Sequence, residues 1–310
     1  MGPRCRRPVP FGEVRGGPIV PRAYVLFRLA AATAGRPSNL LAMTRLALLG
    51  GGKMGAALVG GLLDAGWDAD DLSVAEVDAE RRHAIEAQFP KVRCVPSGAW
   101  AVGDADVVVV AVKPGDVATA LESALPALRE DALVLSIAAG VTIATIEAGA
   151  PGRPVVRAMP NTPAIVRRGA CAIAPGTNAT DVHLDLAERL LGAVGIVVRL
   201  DESLLDAVTG LSGSGPAYLF LVAEAMIEAG VLVGLPRPVA SDLVVQTLLG
   251  SATLLAEGDD GPEALRAAVT SPGGTTAAGL RTLEAAGVRA AFLDAVTAAT
   301  RRSQELGRPE

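Results

Sequence analysis

RLALLGGGKMGAALVGGLLDAG, residues 45–66, changes its period partway along, and that change decides the fold. RLALLG (45–50) is a short apolar run of strand type. AALVGGLLDAG (56–66) places its apolar residues at helical spacing and stops at Gly66, a natural helix terminator. Between them GGGKMG (50–55) fits G-x-G-x-x-G through Gly50, Gly52 and Gly55. Gly50 permits a tight turn, Gly52 lets the backbone approach a pyrophosphate, and Gly55 lets helix and strand pack closely, with the helix N-terminus facing the phosphates. Glu76 closes the next apolar run, 21 residues past Gly55, where an acid accepts a ribose hydroxyl. The stretch therefore predicts a dinucleotide site at Gly50, Gly51, Gly52, Lys53, Met54, Gly55 and Glu76. A glycine turn that merely joins strand to helix is the plainer alternative, and the flanking elements and Glu76 weigh against it. Nothing matches G-x-x-x-x-G-K-[ST], so a nucleoside triphosphatase is not indicated.

Outward from this turn the text alternates. LSVAE (72–76), VRCV (92–95), ADVVVVAV (105–112), ALVLSIAAG (132–140), PVVRAM (154–159) and IVVRL (196–200) read as strands, with DAERRHAIEAQF (78–89) a charged helix among them. Strands alternating with helices predict a doubly wound, Rossmann-type α/β domain over residues 43–201. From residue 203 to 307 the text is helical. PAYLFLVAEAMIEAGVLVGL (216–235) is apolar on nearly every side, so it is expected to be buried between subunits, Glu224 and Glu228 arguing against a membrane. Residues 202–310 are thus expected to form an all-helical, oligomerising domain.

Composition narrows the function. Residues 1–42 hold seven Arg and one acid, Glu13, which leaves 21 bases against 32 acids, a net charge of −11, for residues 43–310. Such a body does not suit a nucleic-acid partner. The three cysteines, Cys5, Cys94 and Cys171, are scattered without a C-x-x-C, which suits a reducing cytosol and indicates neither a disulfide framework nor a metal site. His83 and His183 stand in polar helical text and read as surface residues. Residues 1–42 lack a regular pattern and read as a disordered or extraneous leader rather than a targeting signal.

Three further breaks fall at strand ends, where open α/β sheets bind ligands. AVKPGD (111–116) brings Ala111, Val112, Lys113 and Pro114, SIAAGVT (136–142) brings Ala139, and AMPNTPA (158–164) brings Met159 and Asn161. Lys113 is one of only three lysines. Asn161 stands between two prolines, which suits a polar contact to substrate or nicotinamide as well as an ordinary Asx turn. In the helical part, SPGGTT (271–276) interrupts the pattern with Pro272, Gly273 and Gly274, then opens the next helix with Thr275 and Thr276.

GGGKMG, AVKP, SIAAGV, RAMPNTPA, GLSGSGPAY (210–218) and TSPGGTT, in this order and spacing, resemble pyrroline-5-carboxylate reductase over residues 43–308. The resemblance implies hydride transfer from NADPH or NADH to the C=N carbon of 1-pyrroline-5-carboxylate, giving L-proline, the last step of proline biosynthesis. It implies a helical domain that interlocks as a homodimer, often within a decamer, and a site between one subunit's nucleotide domain and helices of both. In the family, the threonine matching Thr276 hydrogen-bonds the ring nitrogen. Ser271, Gly273, Gly274 and Thr275 would complete a carboxylate cradle at a helix N-terminus. The reaction needs no metal. The chain departs from the family in its leader and in Glu76, where many members carry small or basic residues suited to a 2′-phosphate. Reduction of a related cyclic imine is an alternative. A β-hydroxyacid dehydrogenase would need a helix-borne lysine base, and no lysine follows Lys113. A non-catalytic redox sensor would need the glycine turn but not SPGGTT.

Overall fold

The run at residues 45–50 becomes β1 (Leu46–Leu49), with all four residues buried. The computed structural model describes residues 44–307, and the expected leader lies outside them. β1 pairs in parallel with β2 (Leu72–Ala75) on one side and β4 (Val107–Val110) on the other, while β3 (Arg93–Val95) extends the sheet beyond β2. β5 (Leu133–Ser136) and β6 (Val155–Met159) follow β4, also parallel. β7 (Gly169–Pro175) and β8 (Gly195–Arg199) complete an eight-stranded sheet of order β3-β2-β1-β4-β5-β6-β7-β8. The order reverses between β1 and β4. That leaves a crevice at their carboxyl ends, the usual ligand position in such sheets.

Helices cover both faces: α1 (Lys53–Asp64), α2 (Ala79–Gln88), α3 (Gly98–Val102), α4 (Val117–Ala124), α5 (Ile143–Gly149) and α6 (Asp181–Gly192). Strand alternation divides the core. Leu46, Leu48, Val107 and Val109 pack with Leu58 and Leu62 of α1 and Leu190 of α6. Ala47, Leu49, Val108 and Val110 pack with Val117 and Leu121 of α4 and Ile146 of α5. The four valines of β4 are wholly buried, and burial of each stabilises the fold by about 1.5–3 kcal/mol. A strand covered on both faces needs this unbroken apolar run.

One strand escaped the sequence reading. β7 is GACAIAP, rich in alanine and without a β-branched run, and it lies antiparallel to β6. The connection, residues 160–168, is too short for a helical crossover. It makes a tight 3₁₀ turn at Thr162–Val166, and Arg167 adopts φ 57°, so the chain returns beside the strand it left.

After β8 the chain is helical: α7 (Leu205–Val208), a π turn (Thr209–Gly213), α8 (Gly215–Leu232), α9 (Arg237–Glu257), α10 (Pro262–Ala268), α11 (Thr275–Ala285) and α12 (Val288–Leu306). Glu202 ties their start to the sheet, its Oε1 accepting from Ile143 N–H at 2.6 Å and from the buried Arg157 of β6 at 2.9 Å. α12 returns to pack on α7 and the π turn, where Ser303 Oγ donates to Asp206 Oδ1 at 2.6 Å. At Gly210 a Cβ would stand 2.8 Å from Val296 O, so only glycine admits so close a helix. α8 and α9 pack together through Gly230 and Ala240. No residue of α8 is buried within the chain, and Phe220, Leu232 and Val233 are 69, 87 and 80 % exposed. Both long helical stretches, Glu202–Leu232 and Arg237–Glu257, are apolar and long enough to cross a bilayer by length and composition alone.

Candidate active site

The glycine turn lies at the carboxyl end of β1, and its glycines do different work. Gly50 has φ +104° and donates its N–H to Ala75 O at 2.8 Å, and a Cβ there would approach Ala111 O to 2.7 Å. A Cβ on Gly55 would be driven into the carbonyl oxygen of Gly50. These two glycines let the turn close against β4 and α1. Gly52, the residue before α1, has an ordinary φ of −65°, and a Cβ there would meet no atom within 4 Å. Neither closure nor packing therefore explains Gly52, whose Cβ side is open.

The start of α1 has no side-chain cap and no acid in its first turn. Its first intrahelical bond runs from Ala56 N–H to Gly52 O, so the amides of Lys53 and Met54 have no acceptor within the helix. Unpaired amides at the positive end of a helix dipole form an anion site. The geometry fits a dinucleotide pyrophosphate.

Glu76 ends β2 beside this turn, 4 % exposed. Its Oε2 accepts the Gly51 N–H at 3.0 Å. Its Oε1 accepts the Asp78 N–H at 2.9 Å and Arg81 Nη2 at 3.1 Å. Asp78 caps α2 by accepting the Arg81 N–H at 2.9 Å, a bond that holds its carboxyl below the usual carboxylate range. Arg82 Nη1 donates to the Glu76 carbonyl at 2.9 Å.

The loops after β4, β5 and β6 line the same edge of the sheet. Ala111 N–H donates to Leu49 O at 2.8 Å, which places Ala111–Pro114 against the glycine turn with Lys113 exposed. Ala139 is exposed on the turn after β5, where Gly140 has φ +74° and Leu306 of α12 packs over it. Met159 reaches Gly213 of the π turn. The buried Asn161 amide is engaged at both ends: Nδ2 donates to Ser212 O at 3.0 Å and Oδ1 accepts the Ala170 N–H at 2.8 Å. Asn161 therefore ties the β6 loop to β7 and to the π turn.

That π turn had no place among the expected site residues. Single π turns inside helices recur at functional sites, and this one sits over Met159 and Asn161, with Tyr218 Oη bonded to Gly210 O at 3.1 Å. The glycines of GLSGSGPAY were its signal.

SPGGTT joins α10 to α11. Gly273 has φ +71°, and Gly274 donates its N–H to Ser271 O at 3.0 Å. No side chain caps α11, whose first intrahelical bond is Ala278 N–H to Gly274 O. Ser271, Gly273, Thr275 and Thr276 are exposed, and the three hydroxyls make no hydrogen bond among the described residues. The structure thus gathers the residues expected to bind the dinucleotide at the carboxyl ends of the strands. The residues of SPGGTT form a second uncapped helix start, on α11, which packs on α12.

A family model described as NADP oxidoreductase, coenzyme F420-dependent, matches residues 45–140, and one described as pyrroline-5-carboxylate reductase dimerisation matches residues 202–306. Pyrroline-5-carboxylate reductase of Mycobacterium tuberculosis is 46 % identical over 291 residues, covering 86 % of this chain and 98 % of the relative. That of Pseudomonas aeruginosa is 44 % identical over 265 residues, covering 84 and 96 %. Among solved structures, the Coxiella burnetii pyrroline-5-carboxylate reductase superposes with TM-score 0.81 at 36 % identity, over 86 % of this chain and 99 % of that one. The Plasmodium falciparum pyrroline carboxylate reductase with NADP bound superposes with TM-score 0.77 at 29 % identity, over 86 and 100 %. With glycine turn, helical tail and near full-length similarity in agreement, this chain belongs to the pyrroline-5-carboxylate reductase family.

Proposed function

We propose that this protein reduces 1-pyrroline-5-carboxylate to L-proline with NADPH or NADH, the last step of proline biosynthesis. The observation that carries the substrate assignment is the second uncapped helix start. Its free amides at Thr275 and Thr276 suit a carboxylate, and its unpaired hydroxyls suit a ring nitrogen. Residues 43–201 and residues 202–310 act as two domains, the first for the dinucleotide and the second for the substrate.

A bound nicotinamide would supply a hydride to the carbon of the iminium form, whose nitrogen already carries its proton and keeps it as the C=N π pair becomes the amine lone pair. Gly50, Gly51, Gly52, Lys53, Met54 and Gly55 hold the pyrophosphate. Ala111, Val112, Lys113, Pro114, Ala139, Met159 and Asn161 would line the path to a bound nicotinamide, and Glu76 would stand at the end that takes the adenosine. The Thr276 hydroxyl donates to the ring nitrogen as that atom gains amine character. Ser271, Gly273, Gly274 and Thr275 orient the carboxylate. Such a mechanism stabilises developing charge with oriented donors and needs no strong base.

The exposed apolar faces of α8 and α9 are covered by a second copy of the chain in a homodimer, which the family resemblance extends to a decamer. Glu224 and Glu228 on α8 suit that environment better than lipid, so we read the protein as a soluble cytoplasmic enzyme. The test is oxidation of NADPH by pyrroline-5-carboxylate, with Thr276→Ala beside the wild type. Loss of a donor that acts mainly in the transition state lowers kcat by roughly 10- to 1000-fold, with cofactor affinity kept and Thr276→Ser retaining much of the rate. Wild-type turnover in Thr276→Ala would remove that residue from the chemistry. No turnover of this imine by the wild type would refute the function.

A further inference from the structure

The adenosine corner carries Glu76, Asp78, Glu80, Arg81 and Arg82 within one short stretch. By residue type alone, Glu76 at the end of β2 would take ribose hydroxyls and repel a 2′-phosphate. The hydrogen bonds argue otherwise. A carboxylate offers about four lone-pair positions, and three of those on Glu76 are filled by Gly51 N–H, Asp78 N–H and Arg81 Nη2. Its charge is met by a guanidinium 3.1 Å away, and its side chain is 5 % exposed.

The arginines are in the opposite condition. Arg81 is anchored by one nitrogen to Glu76 while its side chain stays 54 % exposed. Arg82 is anchored by Nη1 to the Glu76 carbonyl and makes no ion pair among the described residues. Each guanidinium carries five N–H donors in a planar fork that matches phosphate, so most of their donors remain open. Of the nearby acids, Asp78 is turned onto the Arg81 N–H of its own helix, and Glu80 is exposed without an ion pair among the described residues.

We propose that Arg81 and Arg82 form the seat of the 2′-phosphate of NADPH, and that Glu76 is a positioning residue that fixes both guanidinia and the Gly51 amide rather than a ligand of the ribose. The proposal rests on the dinucleotide reading of the glycine turn. It turns the acid that argued for NADH into part of an NADPH-selective corner.

Binding titrations on the full chain test it, with NADPH and NADH, and with adenosine 2′-monophosphate and adenosine 5′-monophosphate as probes that separate the two phosphate positions. In Arg82→Ala, the Kd for NADPH and for the 2′-monophosphate should rise roughly 10- to 100-fold. Those for NADH and the 5′-monophosphate should stay at the wild-type values, which also reports an intact fold. Arg82→Lys keeps the charge without the fork and should fall between. Glu76→Gln sets an amide N–H against a backbone or guanidinium donor, so NADH should weaken through the Gly51 turn and NADPH by at least as large a factor, since Arg81 loses its anchor as well. The proposal is overturned if Arg82→Ala weakens both cofactors alike, if an Arg81→Ala/Arg82→Ala double variant binds NADPH normally, or if Glu76→Gln weakens NADH alone. Wild-type protein that binds neither cofactor would instead bring down the dinucleotide reading itself, and this proposal with it.

Discussion

Gly52→Ala and Gly55→Ala differ from the wild type by one methyl group each, three residues apart, and are expected to fail in opposite ways. At Gly52 the backbone angles suit alanine, and the added Cβ meets nothing within 4 Å. Restricting the unfolded chain contributes about 0.4–1 kcal/mol of stability, and losing glycine before the helix costs on the order of 1 kcal/mol. The melting temperature without cofactor should therefore stay close to that of the wild type. On the proposed reading the methyl group occupies the side from which a pyrophosphate would approach. Overpacking of that kind costs about 1–3 kcal/mol, which raises the Kd for NADPH by roughly 5- to 150-fold. At Gly55 the Cβ meets the Gly50 carbonyl oxygen, a backbone atom that cannot swing aside. The same about 1–3 kcal/mol then falls on folding, and the melting temperature drops with no ligand present. Thermal melts of the apoprotein and NADPH titrations read both quantities. If Gly52→Ala binds NADPH as the wild type does, or melts as low as Gly55→Ala, the open side of Gly52 is not a ligand position.

Removal of Glu202 should leave the buried Arg157 guanidinium without its partner. Because the Glu202 side chain is 35 % exposed, Glu202→Ala should cost about 2 kcal/mol, below the range for fully buried pairs, and an unchanged urea midpoint would show that the pair is idle. Phe220→Asp places a charge on the exposed apolar face of α8, so light scattering should show a smaller assembly and turnover should fall with it. An unchanged mass would mean that this face is not the subunit contact. Burial pushes the Cys171 thiol up to about 12, so maleimide at pH 8 should leave Cys171 unlabelled until the chain is unfolded. An unfolded thiol titrates near ~8.5. The stabilisation from keeping this thiol neutral is thus present below that value and fades as the pH rises towards 12.

Much of this protein could be read from residues close together in the chain. The strand, glycine turn and helix at residues 45–66, the valine run of β4 and the helical text after residue 203 all follow from local periodicity, and the structure places them so. The interruption at SPGGTT was legible for the same reason: α10 stops at Ala268, and Gly274 stands directly before the first residue of α11. β7 was not legible: its alanines carry no strand signal, and its pairing follows from the short connection that brings it back beside β6. The roles of single polar atoms were also out of reach. Glu76 looked like a free acid at a strand end until the fold set the Gly51 amide on one oxygen and Arg81 on the other. Asn161 looked free between its prolines until Ser212 and Ala170 took both ends of its amide. The sequence by itself determined most of the elements, β7 excepted, and where the backbone must be glycine, because period and steric permission are properties of a few consecutive residues. Only the tertiary structure decided which donors and acceptors stay open for a ligand. Each such group is satisfied or left unpaired by partners distant in the chain.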